Sequence, residues 1–146
     1  MHDGPESPPV RIVLDTNILV SSLIGSKGPS RRLFEAWASS ELTLVTSRFQ
    51  IDELTRVVSY DRLQRFINPD EATLLIQRLE VVAEVVGDLP IVDDSPDPDD
   101  NFILATAVAG RADMIVSGDK AHMVQLGSIR GIPIRTAADA VDQLFS

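Results

Sequence analysis

The chain predicts an α/β layer fold around a mainly parallel sheet, and three observations carry that expectation. Apolar runs of strand length alternate with stretches of helical periodicity along the whole sequence. Two of those runs, "RIVLD" at 11–15 and "MIVSGD" at 114–119, drive apolar residues into an aspartate. Parallel sheets present ligands at the carboxyl ends of their strands, so an acid at that place is worth following. Finally, 146 residues with 44% hydrophobic content suffice for one sizeable core. We expect a single domain over residues 10–146, preceded by a flexible, Pro-rich polar tail at residues 1–9.

Each element has its local reason. Residues 11–14 (RIVL) read as a short buried strand. Residues 18–25 (ILVSSLIG) are apolar and then meet Gly-Ser-Lys-Gly-Pro, so they read as a short helix or turn. Residues 30–40 carry Leu33, Phe34 and Trp37 at helical spacing, with Ser30 as the expected N-cap. Residues 42–47 form a second strand, and 48–59 and 60–67 two helices that Asn68-Pro69 ends. Residues 69–82 give the strongest helix signal: Pro69 at the first position, acids in the first turn, then Leu74, Leu75, Leu79 and Val82. Residues 83–87 are a weak strand and 88–98 a loop. Residues 99–110 form a helix closed by Gly110, followed by a strand at 113–119. A short strand at 132–136 and a helix at 137–145 finish the chain.

Composition narrows the chemistry. The chain has no cysteine, which excludes disulfides and thiolate catalysis and fits a cytoplasmic location. No apolar run approaches the ~18 residues of a membrane span, so no membrane partner is expected. The first ten residues have neither a basic region nor an apolar stretch, so no secretory leader is expected there. The net charge of −9 is uneven: residues 84–146 hold four bases against eleven acids, whereas residues 1–83 hold nine against eleven. Acidic charge alone argues against a nucleic-acid partner, unless bound cations reverse the local sign.

Most acids are ordinary solvated charges; the exceptions stand on apolar faces or at strand ends. Asp15 ends the first strand, with Asn17 placed to cap the helix that follows. Asp52 shares a helical row with Arg48 and Arg56 and reads as ion-paired surface. Its neighbour Glu53 shares a row with Phe49 and Val57, where an unneutralised carboxylate is costly. In "SPDPDDNFILATA", Asp97 reads as an N-cap and Pro98 as the first helical residue. Asp100 lies on the row of Ile103, Leu104, Ala107 and Val108 and should face the sheet. Asp99 is more lateral, so Asp97 and Asp99 read as cap or supporting residues. Asp119 ends "MIVSGD", while Asp113, at the start of that strand, belongs to the opposite edge. Asp15, Glu53, Asp100 and Asp119 therefore remain as candidate site residues. Four carboxylates sharing a small site resist ionising together, and a divalent cation resolves the conflict. Hard oxygen donors of this kind select Mg²⁺ or Mn²⁺.

"LDTN" after a first strand, a Glu in "SRFQIDEL", then "DPDDNFILATA" and "IVSGDK", in that order, resemble the PIN-domain ribonucleases, with VapC-type toxins of bacterial toxin–antitoxin pairs the nearest likeness. The resemblance spans residues 11–136. It implies a three-layer sandwich with a central mainly parallel sheet, an Mg²⁺- or Mn²⁺-dependent endoribonuclease, an RNA substrate and a cognate antitoxin protein. It matches Asp15, Glu53, Asp100 and Asp119 to the metal-binding and catalytic acids, and Asn17 and Ser117 to polar positions that support them. Many members carry a further acid two residues after the position of Asp119; here that place is Ala121, followed by His122, which reads as a surface residue or, alternatively, an RNA contact.

Competing readings have weaker support. Phosphatases with an aspartyl nucleophile show D-x-D, and here Asn17 holds the second place. A receiver domain needs paired early acids and a separate late lysine, whereas Lys120 directly follows Asp119. The non-enzymatic alternative is an RNA-binding or antitoxin-sequestered scaffold with a weak metal site. Bases for RNA would come from Lys27, Arg31, Arg32, Arg48, Arg56, Arg62 and Arg65, although each taken singly reads as a solvated helix charge. Leu33, Phe34 and Trp37 give a homodimer face or, equally, core.

Overall fold

A computed structural model describes residues 8–145. Its elements are β1 (Val10–Leu14), α1 (Thr16–Ile24), α2 (Pro29–Ala38), β2 (Leu42–Ser47), α3 (Arg48–Val58), α4 (Asp61–Gln64), α5 (Pro69–Val81), β3 (Glu84–Val86), α6 (Pro98–Ala109) and β4 (Met114–Val116). A π-helical turn at Lys120–Val124 follows, then β5 (Ser128–Ile129), β6 (Ile132–Arg135) and α7 (Ala137–Phe145). The strands make one sheet in the order β3-β2-β1-β4-β6-β5. All pairs are parallel except β5 with β6. The expected α/β architecture is therefore present.

Strand alternation divides the core between two faces. Ile12 and Leu14 of β1 join Leu44, Met114 and Val116 under α1, α2, α3, α5 and α7. Val13 faces the other way, with Val45, Ile115 and Ile134, under α6 and Met123. A sheet covered on both sides is the usual setting for parallel strands, whose residues are apolar on both faces. From β1 the chain runs first to β2 on one side and later, through α6, to β4 on the other. The gap between β1 and β4 is thus the switch point, where the connections diverge and leave a crevice at the carboxyl ends.

Several local expectations are corrected. Helix α2 starts one residue before Ser30: Gly28 takes the cap position with φ 103°, a backbone state that suits glycine, and Pro29 sets the first helical residue. The helix expected over 60–67 shrinks to the four residues of α4, with no capping side chain to extend it. On α5, Leu75 and Leu79 are buried, but Leu74 and the C-cap residue Val82 are exposed, so the apolar stripe is narrower than expected. Strand β4 stops at Val116, because Ser117 and Gly118 turn the chain. The two-residue β5 was not anticipated; at that length a strand leaves no periodic signal. Gly110 does close α6, and a Cβ there would collide with Val45. Among the described residues, no helix is long and apolar enough to cross a membrane. Of the expected tail, residues 1–7 lie outside the described residues, and Pro8 and Pro9 are exposed.

Candidate metal centre at the carboxyl edge

The switch point is where the acids gather. Asp15 directly follows β1, and its backbone N–H donates to Val116 O at 2.8 Å, which ties it to β4. Its side chain, 6% exposed, is held by two donors: Thr16 N–H to Oδ1 at 2.8 Å and Ser117 Oγ–H to Oδ2 at 2.7 Å. Asp15 is thus itself the cap of α1. Asn17, expected in that role, instead accepts from Gly118 N–H at 3.1 Å and pins the turn after β4.

Glu53 arrives from α3. The helix is anchored by Ser47 as cap and by Gln50, whose side chain bridges Leu14 O of β1 and Thr46 Oγ1 of β2. One turn on from Gln50, Glu53 accepts from Thr16 Oγ1–H, so Thr16 serves two of the acids at once. Phe49, on the same row as Glu53, stacks on Phe102 of α6 at 4.1 Å between ring centroids. That stack joins the helices carrying Glu53 and Asp100 across the edge of the sheet. As expected, Asp52 is exposed and pairs with Arg48 at 3.5 Å.

Asp100 stands in the first turn of α6, where Asp97 caps the helix through Asp99 N–H. Asp100 is 8% exposed while Asp99 is exposed, the phase difference that one residue step on a helix imposes. Ser95 Oγ–H donates to Asp100 Oδ2 at 3.2 Å, and Asn101 clamps Ser95 through both of its backbone polar groups. The buried arc of α6 is wider than the expected row. Thr106 is fully buried, 2.9 Å from Ser47 Oγ.

Asp119 does not end β4, as its position in "MIVSGD" led us to expect. It follows the Ser117-Gly118 turn and caps the π-helical turn, accepting His122 N–H at 3.1 Å, while its own N–H donates to Ser117 Oγ. Ser117 therefore links Asp15 and Asp119 through one hydroxyl. The residues that sequence reasoning missed are Thr16 and Ser95; His122 is exposed, as its surface reading expected, and its Nδ1 lies 3.6 Å from Asp119 Oδ2. Thr16 and Ser95 sit inside the very motifs quoted above. Only the folded geometry shows which acid each serves.

The electrostatics run through the set. Burial pushes the Asp15 carboxyl up to about 6; the Ser117 and Thr16 hydrogen bonds oppose the rise, and the charges of Asp100 and Glu53 add to it. Asp100 is also raised, first by burial and then by the charges of Asp97 and Asp119, against hydrogen bonding from Ser95 and the charge of His122. Repulsion thus links Glu53 to Asp15, Asp15 to Asp100 and Asp100 to Asp119. These are oxygen donors that are costly to ionise together, and that chemistry fits a hard divalent cation.

The bases expected to meet RNA are mostly engaged locally. Arg31 and Arg32 lie near Glu35 and Glu41 and over the rings of Phe34 and Phe145. Arg48 pairs with Asp52 and Glu80, and Arg62 and Arg65 lie over Tyr60 and Phe66. Lys27 and Arg56 are exposed. Leu33 and Trp37 are core, with Phe34 half-buried edge-on to Trp37.

A family model described as the PIN domain matches residues 11–121. No curated protein matches the chain. Among solved structures, VapBC2 from Rickettsia felis, bound to a DNA fragment from its promoter, is similar at 17% identity with a TM-score of 0.58; the match covers 87% of this chain and 98% of that one. FitAcB from Neisseria gonorrhoeae is similar at 15% identity with a TM-score of 0.54, again covering 87% and 98%. At these identities the likeness shows a shared fold.

Proposed function

Because the chain belongs to the PIN domain family, we propose that it is an Mg²⁺- or Mn²⁺-dependent endoribonuclease, acting in the cytoplasm as the toxin of a toxin–antitoxin pair. The observation that carries this reading is the run of mutually repelling acids Glu53, Asp15, Asp100 and Asp119 at the switch point of the sheet. Nothing in catalysis by the carboxylates alone requires four of them at one edge. A divalent cation held by these residues would neutralise them and would supply a Lewis acid for phosphodiester hydrolysis.

Asp15 and Asp100 are the proposed primary ligands, with Glu53 and Asp119 completing the set. The other residues orient them. Ser117 and the Thr16 N–H fix both oxygens of Asp15, Ser95 fixes Asp100, and the Thr16 hydroxyl fixes Glu53. Orientation by such neighbours sets ligand geometry and affinity in metal sites. RNA is the proposed substrate and an antitoxin protein the proposed partner. Both draw on the VapC-type resemblance and on the fold shared with VapBC2.

The test is cleavage of RNA by the purified protein with Mg²⁺, with Mn²⁺ and with a chelator. We expect cleavage only with metal, and none from Asp15→Asn or Asp100→Asn proteins that remain folded. Metal-independent cleavage, or full activity in either variant, would contradict the assignment.

A further inference from the structure

His122 lies on the π-helical turn beside the proposed centre, exposed, and the proposed ligand set does not use its ring. One ring nitrogen of His122, one carboxylate oxygen of Asp100 and one of Asp119 all lie within 4.8 Å of one another. Donor atoms around a six-coordinate cation with bonds of ~2.1 Å stand about 3 Å apart when adjacent and about 4.2 Å apart when opposite. The 3.6 Å between His122 Nδ1 and Asp119 Oδ2 is wider than the adjacent spacing by an amount that a small side-chain rotation closes. The approach is also fixed by the backbone. Asp119 Oδ1 accepts the His122 N–H, so acid and ring belong to one turn, and Ser117 holds that turn to Asp15.

We propose that His122 is a nitrogen ligand to a divalent cation held with Asp100 and Asp119, and that it shifts the preference of the centre from Mg²⁺ toward Mn²⁺. The inference rests on the metal centre proposed above and adds a donor to it. Neutral imidazole binds transition metals through a lone pair that Mg²⁺, hard and reluctant to lose its water, uses poorly. A site of carboxylates alone has no such bias.

The test uses the full chain and Mn²⁺ alone as probe. Pulsed electron paramagnetic resonance of Mn²⁺ bound to wild type is expected to show a ¹⁴N coupling from the imidazole, absent from His122→Ala. Titration calorimetry is expected to show Mn²⁺ affinity falling about tenfold in His122→Ala, with a smaller change for Mg²⁺. The apo melting temperature of the variant reports its folding, and if the alanine variant fails to fold, His122→Gln takes its place in both measurements. Mn²⁺ bound in an Asp15-dependent manner without a ¹⁴N coupling would overturn the role of His122 and leave the centre standing. A coupling that persists in His122→Ala would assign it to another nitrogen and also overturn the proposal. A wild type that binds no Mn²⁺ would remove the centre and His122 together.

Discussion

The two edges of the sheet handle their acids in opposite ways. At the amino edge, Asp113 accepts the Arg11 N–H at 2.9 Å, and the Arg11 guanidinium reaches Gly110 O and the carboxylate of Glu84. Both acids there meet Arg11, Asp113 through its backbone N–H and Glu84 through its guanidinium charge. At the carboxyl edge, Asp15 and Asp100 are buried and held by uncharged donors; burial raises both carboxyls first, and the charges of neighbouring acids raise them further. The same residue types on the same strands thus serve two ends. Where charge is compensated within the chain, an acid closes the fold; where it is not, the chain is left needing a cation from outside. Uncompensated buried charge is too costly to be kept without a return.

Breaking the carboxyl edge should have the largest effect. Asp100→Asn is expected to reduce RNA cleavage by more than about a hundredfold, beyond the range usual for residues that only support a ligand. Asp99→Asn should retain substantial activity, since its exposed side chain points off the site. Glu53→Gln should likewise cost far more than Asp52→Asn. Cleavage assays on the four variants, with folding followed by circular dichroism, check the contrast. Equal losses within a pair would mean that helix phase does not separate ligand from surface.

The next effect is on stability against pH without metal. The Asp15 carboxyl ionises near 3.8 when unfolded and near 6 in the fold. Below pH 3.8 both states hold the proton and the contribution is fully present. It is lost as pH rises through about 6, because the unfolded chain ionises freely while the folded one resists. The loss is on the order of 3 kcal/mol, and the upward shift of Asp100 has the same sign. Denaturant titrations in chelator should show the contribution of these acids falling between about pH 4 and pH 6.5. Asp15→Asn should flatten that slope, and Mg²⁺ should restore wild-type stability at the higher pH. A wild-type slope unchanged in Asp15→Asn would contradict the stated origin.

Smaller again is the loss of an orienting hydroxyl. Ser117→Ala leaves Asp15 Oδ2 without its donor and should lower Mg²⁺ affinity by roughly 10–100-fold, measured by calorimetry. The smallest effect belongs to the other edge. Glu84→Gln removes a partly exposed ion pair with Arg11 and should cost less than about 1 kcal/mol, with cleavage unchanged. A loss of activity there would mean that the two edges are coupled.

How much of this was legible beforehand follows from the range of each interaction. Glu53 and Asp100 were readable because a helix repeats locally: an acid on a row of apolar residues declares its burial within one turn. Asp15 was readable from three apolar residues ending on an acid. The supports were not readable from local pattern: Ser117, expected as a support only through the family resemblance, meets Asp15 across 102 positions, and Thr16 meets Glu53 across 37. Asp119 was chosen as a strand end and proved to lie beyond the strand, since a three-residue β4 cannot be told from a longer one by composition. Asn17 and Asp15 were both fit to cap α1, and the neighbouring β4 turn, invisible in the local sequence, decided between them. Thr106 escaped because α6 is buried over most of its circumference, and a helix buried on most sides has no clean period.

The contrast between the edges is tested most directly by Mg²⁺ binding, measured by titration calorimetry at pH 7.5 on wild type, Asp100→Asn and Asp113→Asn. Both substitutions exchange an aspartate for its amide at an edge of the same sheet. If uncompensated charge at the carboxyl edge makes the site, Asp113→Asn will bind Mg²⁺ as wild type does and Asp100→Asn will lose measurable binding. Equal binding by the two variants, or no binding by wild type, would contradict it.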